Sequence, residues 1–535
     1  MRKCLLILLL MMGQMCFAQN NQTKQNKQDA AETTQKLATT MYIIDKFYVD
    51  STDMPKLTEE AVVAMLKALD PHSTYIAAKD VKKANESLEG SFEGIGVTFQ
   101  ILRDTILVVS AVPGGPSEKV GVMAGDRIVK IDGEDAFGKK VNNEFVTSHL
   151  RGKKGTKVVL GIRRGDDREL IDFEIVRDKI PLNSINTYFM VDKKVGYIKL
   201  DQFAAKSVEE FEKAMSELEK QGMKSLILDL RGNSGGYLQT AFGLSNEFLG
   251  SNKTVVFTEG LKSPKQVLET DSDGYFRKGR LVVLIDEGSA SASEIVSGAV
   301  QDWDRGVIIG RRSFGKGLVQ RPFNLPDGSV IRLTTARYHT PTGRCIQRSY
   351  EKGSEDYFKE MTKRLEHGEY YHADSIHFPD SLRYQTLING RTVYGGGGIM
   401  PDIFMPADTT YNTKLLTNLI RKTVFNSYCI DYVLANREQI LLDYRDFNDY
   451  NDNFVVTDEM IMELKMQAEK KDIVWDDSQY ERSEKWIKLR IKGMIAQSVW
   501  NIDKYYQVVL KEDKMIRKAV EILNSKKEYD RILSK

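Results

Sequence analysis

Cysteine is scarce in this chain: there are four in 535 residues, and two of them, Cys4 and Cys16, fall within the first eighteen. The remaining pair, Cys345 and Cys429, can form at most one bridge, which excludes a disulfide framework. Net charge is equally small. With 77 basic and 75 acidic residues the formal charge is +2, which excludes a polycationic nucleic-acid binder, and a hydrophobic content of 41% excludes a wholly disordered chain. Past residue 18 there is no apolar run long enough to cross a bilayer. What the chain does have is length, and since domains mostly run about 100–200 residues, three or four units are expected.

Residues 1–18 have the layout of a cleavable secretory signal: Arg2 and Lys3, an apolar run from Leu5 to Met12, then Cys16-Phe17-Ala18 before Gln19. Removing them takes away two basic residues and leaves no net charge. A lipid anchor on Cys16 is disfavoured, because Gln14 and Met15 stand where small residues precede a lipidated cysteine. The expectation is a mature chain that is soluble outside the cytoplasm, in the periplasm.

Composition and periodicity divide the rest. Residues 19–36, rich in Gln, Asn, Lys and Thr, read as a disordered leader. Over 37–89 a helical module is expected: Leu37, Met41, Ile44 and Phe47 keep helical spacing, and Thr58 caps a second helix carrying Val62, Met65, Leu66 and Leu69. Asp70-Pro71-His72 ends it, since proline lacks the amide a helix needs. From 90 to 178 the period becomes that of strands. Gly94-Ile95-Gly96, Gly114 to Asp126 and Arg127-Ile128 through Asp132-Gly133 follow in an order that resembles a PDZ domain. That resemblance implies that the Gly94-Ile95-Gly96 loop presents amides to a chain-terminal carboxylate while the peptide adds as an edge strand. An ordinary small barrel is the alternative.

Within 179–408, apolar strands at 195–200, 225–230, 281–285 and 307–309 alternate with helices at 208–220, 239–249 and 292–303, the pattern of a parallel sheet covered on both faces. Three loops leave the carboxyl ends of these strands: Arg231 to Gly236, Glu287 to Ser291, and Arg312 to Gly317. Parallel neighbours put such loops on one side of the sheet, where open α/β folds place their sites, so Ser291 and Lys316 can meet. A serine at a helix start has free amides beside it for an oxyanion, and a lysine can act as its base once burial leaves it neutral. From these loops alone, Ser291 as a mere helix cap and Lys316 on a solvated turn remains open. Residues 409–535 are charged and helical. A stripe of Ile487, Ile491, Met494 and Ile495, with Trp475, Trp486 and Trp500 nearby, points to a packed bundle.

The segment Ser289-Ala290-Ser291-Ala292-Ser293-Glu294-Ile295, with Phe314-Gly315-Lys316-Gly317 and Gln320, resembles the signature of the C-terminal processing (tail-specific) peptidases. Asp70 to Tyr75, Leu230 to Gly236, Tyr338 to Arg344 and Gly398 to Asp402 resemble family segments in the family's order, and the resemblance covers roughly 37–405. It implies a crotonase/ClpP-like α/β protease core with an inserted small β PDZ-like domain, an N-terminal helical module and a C-terminal helical extension. It also implies a Ser/Lys dyad: Ser291 the nucleophile, Lys316 the general base, Gln320 positioning that lysine, and Asp302 at an acidic position important in some members. The oxyanion hole would use Ala292 and one of Gly235 and Gly236. Ser289 and Ser293 are rival nucleophiles.

Other constellations fit less well. Gly310 to Lys316 opens like a phosphate loop, but Gly317 stands where a magnesium-binding hydroxyl is needed and a strand follows. His367, His372, Asp374 and His377 lack the His-Glu-x-x-His spacing of a metal site, and His339 has no evident route to Ser291. The expected protein is a serine endopeptidase that needs no cofactor and recognises free C-terminal ends. Its partners are protein or peptide substrates, with room for an adaptor protein or a homo-oligomer. The competing class is a non-catalytic scaffold or holdase.

Overall fold

The computed structural model describes residues 29–165 and 169–534. Its centre is a six-stranded sheet whose spatial order follows the chain: β1 (Thr187–Asp192), β2 (Val195–Lys199), β3 (Ser225–Asp229), β4 (Arg280–Ile285), β5 (Val307–Gly310) and β6 (Ile403–Phe404). β1 runs antiparallel to β2, and every later pairing is parallel. Alternate side chains go to opposite faces, so Leu226 and Leu228 of β3 join one core and Ile227 the other. On the first face lie α1 (Ser207–Lys220), α2 (Leu238–Asn246) and α3 (Ala292–Asp302), with Phe211, Leu218, Leu244, Ile295 and Val296 buried among the strands.

The opposite face is closed by α4 (Lys514–Asn524) and α5 (Lys526–Leu533), whose Met515, Ile516, Ile522, Leu523 and Ile532 pack on Ile227, Val282 and Leu284. Tyr529 of α5 hydrogen-bonds through its hydroxyl to both the amide and the carbonyl of Leu281. The region expected as one extension over 409–535 therefore divides. A bundle with its own core runs from Leu415 to Val508 and includes Trp475 and Trp500, while the last helices belong to the central sheet.

A second, wholly antiparallel sheet flanks the first. It joins strands Thr254–Gly260, Ser263–Glu269, Leu318–Asn324 and Val330–His339, and it also takes in the short strand Thr74–Ile76. The N-terminal module is thus stitched to the core at Thr74–Arg332. Two expectations about that module need correction. Residues 29–36, assigned to a disordered leader, are helical as part of a helix over 29–47, while 1–28 lie outside the described residues. The next helix, Met54–Lys67, starts at Asp53, whose side chain accepts from the Lys56 amide, and Thr58 sits inside it, donating its hydroxyl to the Met54 carbonyl. Pro55 in the first turn, where its missing amide costs nothing, marks the true start.

The PDZ-like unit is inserted on a two-stranded stem, Ser91–Gly94 paired with Asp178–Pro181. Above the stem its sheet leaves Val97–Leu102 as an edge strand, and the helix Asn143–Leu150 belongs to the same unit. Ile95 is buried and its carbonyl accepts from the Ser117 amide and hydroxyl, while Gly96 holds a φ of +74° that favours glycine. Among the described residues nothing takes the Ile95 or Gly96 amide. The stem is preceded by the helix Ala78–Glu89, which also lines the cavity described next.

Candidate active site

The loops after β3, β4 and β5 do meet at the carboxyl edge of the sheet. Ser291, Ala292, Gly235, Gly236, Lys316 and Gln320 all line one cavity of about 610 Å³. Ser291 caps α3 with φ +56° and ψ −112°, a strained conformation for a residue with a Cβ. Strand Leu318–Asn324 carries Lys316 at its entrance, which removes the helix a phosphate loop would require.

One buried carboxylate ties Ser291 to Lys316. Glu294, on the first turn of α3 and fully buried, accepts from the amide of Ser291 (2.8 Å) and from the amide of Lys316 (2.9 Å) with the same oxygen. Its other oxygen takes the Ser313 hydroxyl (2.5 Å) and the Gly315 amide (2.7 Å). Tyr338, also buried, donates its hydroxyl to the Lys316 carbonyl at 2.6 Å and lies 3.1 Å from that of Ser291. The sequence reading gave Glu294 no role, although Ser-x-x-Glu is the spacing of a capping box.

Burial pushes the Lys316 ammonium below lysine's ordinary range; Glu294 and Asp70 pull it back, and Arg332 adds to the lowering. A lysine so placed can lose its proton nearer neutrality than a solvated one. Behind it stands a polar chain from the Asp70-Pro71-His72-Ser73 turn. Asp70 accepts from the Thr334 hydroxyl (3.0 Å), the Ser73 hydroxyl (2.5 Å) and the amides of His72 and Ser73. Gln320 donates its side-chain amide to the Thr334 hydroxyl at 3.1 Å, so its link to Lys316 runs through Thr334 and Asp70. His72 bonds the Tyr357 hydroxyl; burial, then the Lys316 charge, lower its pKa to about 4, so it is neutral at pH 7.

Gly235 approaches Ser291 so closely that a Cβ would sit 2.8 Å from the Ser291 Cβ and 3.0 Å from the Ala292 nitrogen, at φ +104°. Its amide is taken by the Asn233 side chain at 2.8 Å. The amides of Gly236 and Ala292 have no partner among the described residues. The two rival serines are fully buried and engaged, Ser289 donating to the Leu230 carbonyl and Ser293 to that of Asn233. Asp302 lies at the other end of α3, about 16 Å from Ser291 at 1.5 Å per residue. Its carboxylate is spent on Arg344 (2.7 Å), Thr340 and Thr342, so it braces the 340–344 turn and is absent from the cavity lining. His339 stacks on Phe257 in the second sheet, and Cys345 and Cys429 are both free.

Residues 194–353 match Peptidase family S41, 94–175 match the PDZ domain, and 10–80 match the N-terminal domain of the activating protease CtpB. Residues 415–501 match a family of unknown function. The chain is 37% identical over 302 residues to the carboxy-terminal processing protease CtpA of Bacillus subtilis, covering 56% of this chain and 64% of that one. It is 39% identical over 306 residues to the carboxy-terminal-processing protease of Bartonella bacilliformis, covering 56% and 69%, and 34% identical over 375 residues to CtpB of B. subtilis, covering 68% and 74%. The chain thus spans just under two thirds of CtpA and somewhat more of the other two. With a PDZ domain inserted ahead of an S41 domain in whose cavity Ser291 and Lys316 converge, the chain belongs to the carboxy-terminal processing protease family.

Proposed function

We propose that this chain is an exported, periplasmic serine endopeptidase that captures the free C-terminal end of a protein in its PDZ domain and cuts the chain with a Ser291/Lys316 dyad. The carrying observation is the Glu294 carboxylate, which binds the main chain of both residues at the wall of one cavity. The parallel sheet with its site at the carboxyl edge supports a core of crotonase/ClpP-like build, and the layout of residues 1–18 supports export.

In this reading the Ser291 hydroxyl attacks the scissile carbonyl carbon while its proton passes to the Lys316 amine. The oxyanion takes hydrogen bonds from the two unpartnered amides, Ala292 and Gly236. The Lys316 ammonium returns the proton to the departing amine, leaving an acyl-enzyme. Lys316 then draws a proton from water, whose oxygen attacks the ester, and its ammonium passes that proton to the departing Ser291 Oγ, restoring both residues. Chain ends reach the site by adding to the edge strand Val97–Leu102, with the Gly94-Ile95-Gly96 loop taking the carboxylate.

The test is to incubate mature protein with casein and with a peptide in free-carboxyl and amidated forms, beside Ser291→Ala, and to read fragments by mass spectrometry. Fragments from the wild type alone, formed faster from the free carboxyl form, are expected. Fragments that persist with Ser291→Ala would overturn the nucleophile, and an intact substrate that stays bound would favour the holdase.

A further inference from the structure

We propose that Asp513, at the head of the C-terminal helix α4, is a positioning residue for catalysis: it completes a two-carboxylate clamp on Arg231 and so fixes the loop that offers the Gly236 amide to the substrate. The inference rests on the serine-peptidase reading above and concerns the same site.

Arg231 is the first residue of the 231–236 loop, and its guanidinium lies between two carboxylates. Asp229, at the end of β3, accepts from Nε at 3.0 Å and from Nη2 at 2.6 Å, and its Oδ1 also accepts from the Arg231 backbone amide at 2.9 Å. Asp513, 282 residues further along, accepts from Nη1 at 2.7 Å. The Tyr197 hydroxyl donates to Asp229 as well. Burial pushes the Asp229 carboxyl up, but the Arg231 charge and hydrogen bonds outweigh it and hold its pKa at about 2. With Asp229 alone, the guanidinium is gripped along one edge; the second carboxylate grips the other and removes the remaining freedom to turn, as paired charge-assisted bonds do.

The clamp reaches the chemistry through the main chain. After Arg231, the Gly232 amide bonds Asp286, the Asn233 carbonyl accepts from the Ala290 amide and the Ser293 hydroxyl, and the Asn233 side chain holds the Gly235 amide. The next residue is Gly236. An amide serves an oxyanion only when aimed to within a fraction of an ångström, so freedom at the root of the loop is paid for in rate at its tip. Asp513 also links this loop to folding of the far end of the chain, because its other oxygen caps α4 at the Met515 and Ile516 amides (2.8 and 3.1 Å). The oxyanion loop is therefore complete only when the C-terminal helices have docked.

The two duties of Asp513 can be separated. Asn is as good a helix cap as Asp, so Asp513→Asn keeps the cap but turns an uncharged amide toward Arg231. In the full-length mature protein, with a fluorogenic peptide as substrate, Asp513→Asn should lower kcat about tenfold with KM within twofold and the folded fraction unchanged. A peptide aldehyde, whose adduct with Ser291 mimics the tetrahedral intermediate, should bind about tenfold more weakly. Asp513→Glu should recover most of the loss, and Arg231→Lys combined with Asp513→Asn should be little worse than Arg231→Lys alone. A kcat for Asp513→Asn within twofold of wild type, effects of the two substitutions that multiply, or a loss fully explained by unfolding would each overturn the clamp. A wild type that fails to cut would instead sink the peptidase reading.

Discussion

The two faces of the central sheet are covered by helices of different origin. α1, α2 and α3 follow the strands they cover, and α3 carries Ser291 and Glu294. The other face waits for α4 and α5, which arrive only after the whole helical bundle. The face built from neighbours in sequence carries Ser291, the proposed nucleophile; the face closed last carries no proposed site residue, yet its Asp513 bonds Arg231 in the loop that leads to Gly236. In the proposed reading, chemistry is assembled locally and its rigidity is supplied from a distance.

Ending the chain after residue 509 would break this comparison most severely. Leu510, Met515, Ile516, Ile522, Leu523, Tyr529 and Ile532 would be lost, and at about 1.5–3 kcal/mol each their burial is on the order of 10–20 kcal/mol, as large as a domain's whole stability. We expect no cooperatively folded peptidase core, by circular dichroism and thermal melting, although the N-terminal face is intact.

On the local face the largest point effect is expected at Glu294→Ala. It strips one buried carboxylate from four donors and should destabilise by about 3–5 kcal/mol while abolishing cleavage. Chemical denaturation and a peptide assay check both parts.

The pH profile sharpens the picture at Lys316. Because burial lowers its pKa and the neutral amine is the base, kcat/KM should fall about tenfold per pH unit below that pKa and level off above it. Lys316→Arg should be as inactive as Lys316→Ala, since a guanidinium cannot accept the proton. A kcat/KM with no acid limb anywhere in the pH range over which the protein stays folded would remove Lys316 as the base.

The smallest effect is expected at Tyr529→Phe on the distal face, which loses the hydroxyl that serves Leu281. About 1 kcal/mol of stability should go, with kcat unchanged, as read by melting and steady-state kinetics. A fall in kcat would show that the distal face tunes the site through more than Asp513.

The same contrast explains what was legible in the sequence. Strands β2 to β5 and helices α1 and α3 were readable because apolar runs and helical spacing are local signals, and the family-like loops pointed to Ser291 and Lys316. What escaped was joined across long separations. Asp70 and Thr334 are 264 residues apart, and Arg231 and Asp513 are 282 apart; in neither pair does the local sequence of one member point to the other. The docking of α4 and α5 escaped for a related reason. Their apolar stripe suits a bundle or a sheet equally, and spacing does not say which. The helical state of 29–36 escaped because composition alone suggested disorder, and the bonds of Asp302 to Thr340, Thr342 and Arg344 escaped because those partners lie on another segment.

The backbone of Ser291 has one more implication. At φ +56° and ψ −112° it occupies a region comfortable for glycine and costly, by about 1–3 kcal/mol, for anything with a Cβ. Glycine is also an acceptable helix cap, so the most stable residue at position 291 is one that cannot react. Any search for hardier variants that is blind to activity would drift toward deleting the proposed nucleophile. Only selection for turnover keeps serine at a place where the fold alone would discard it.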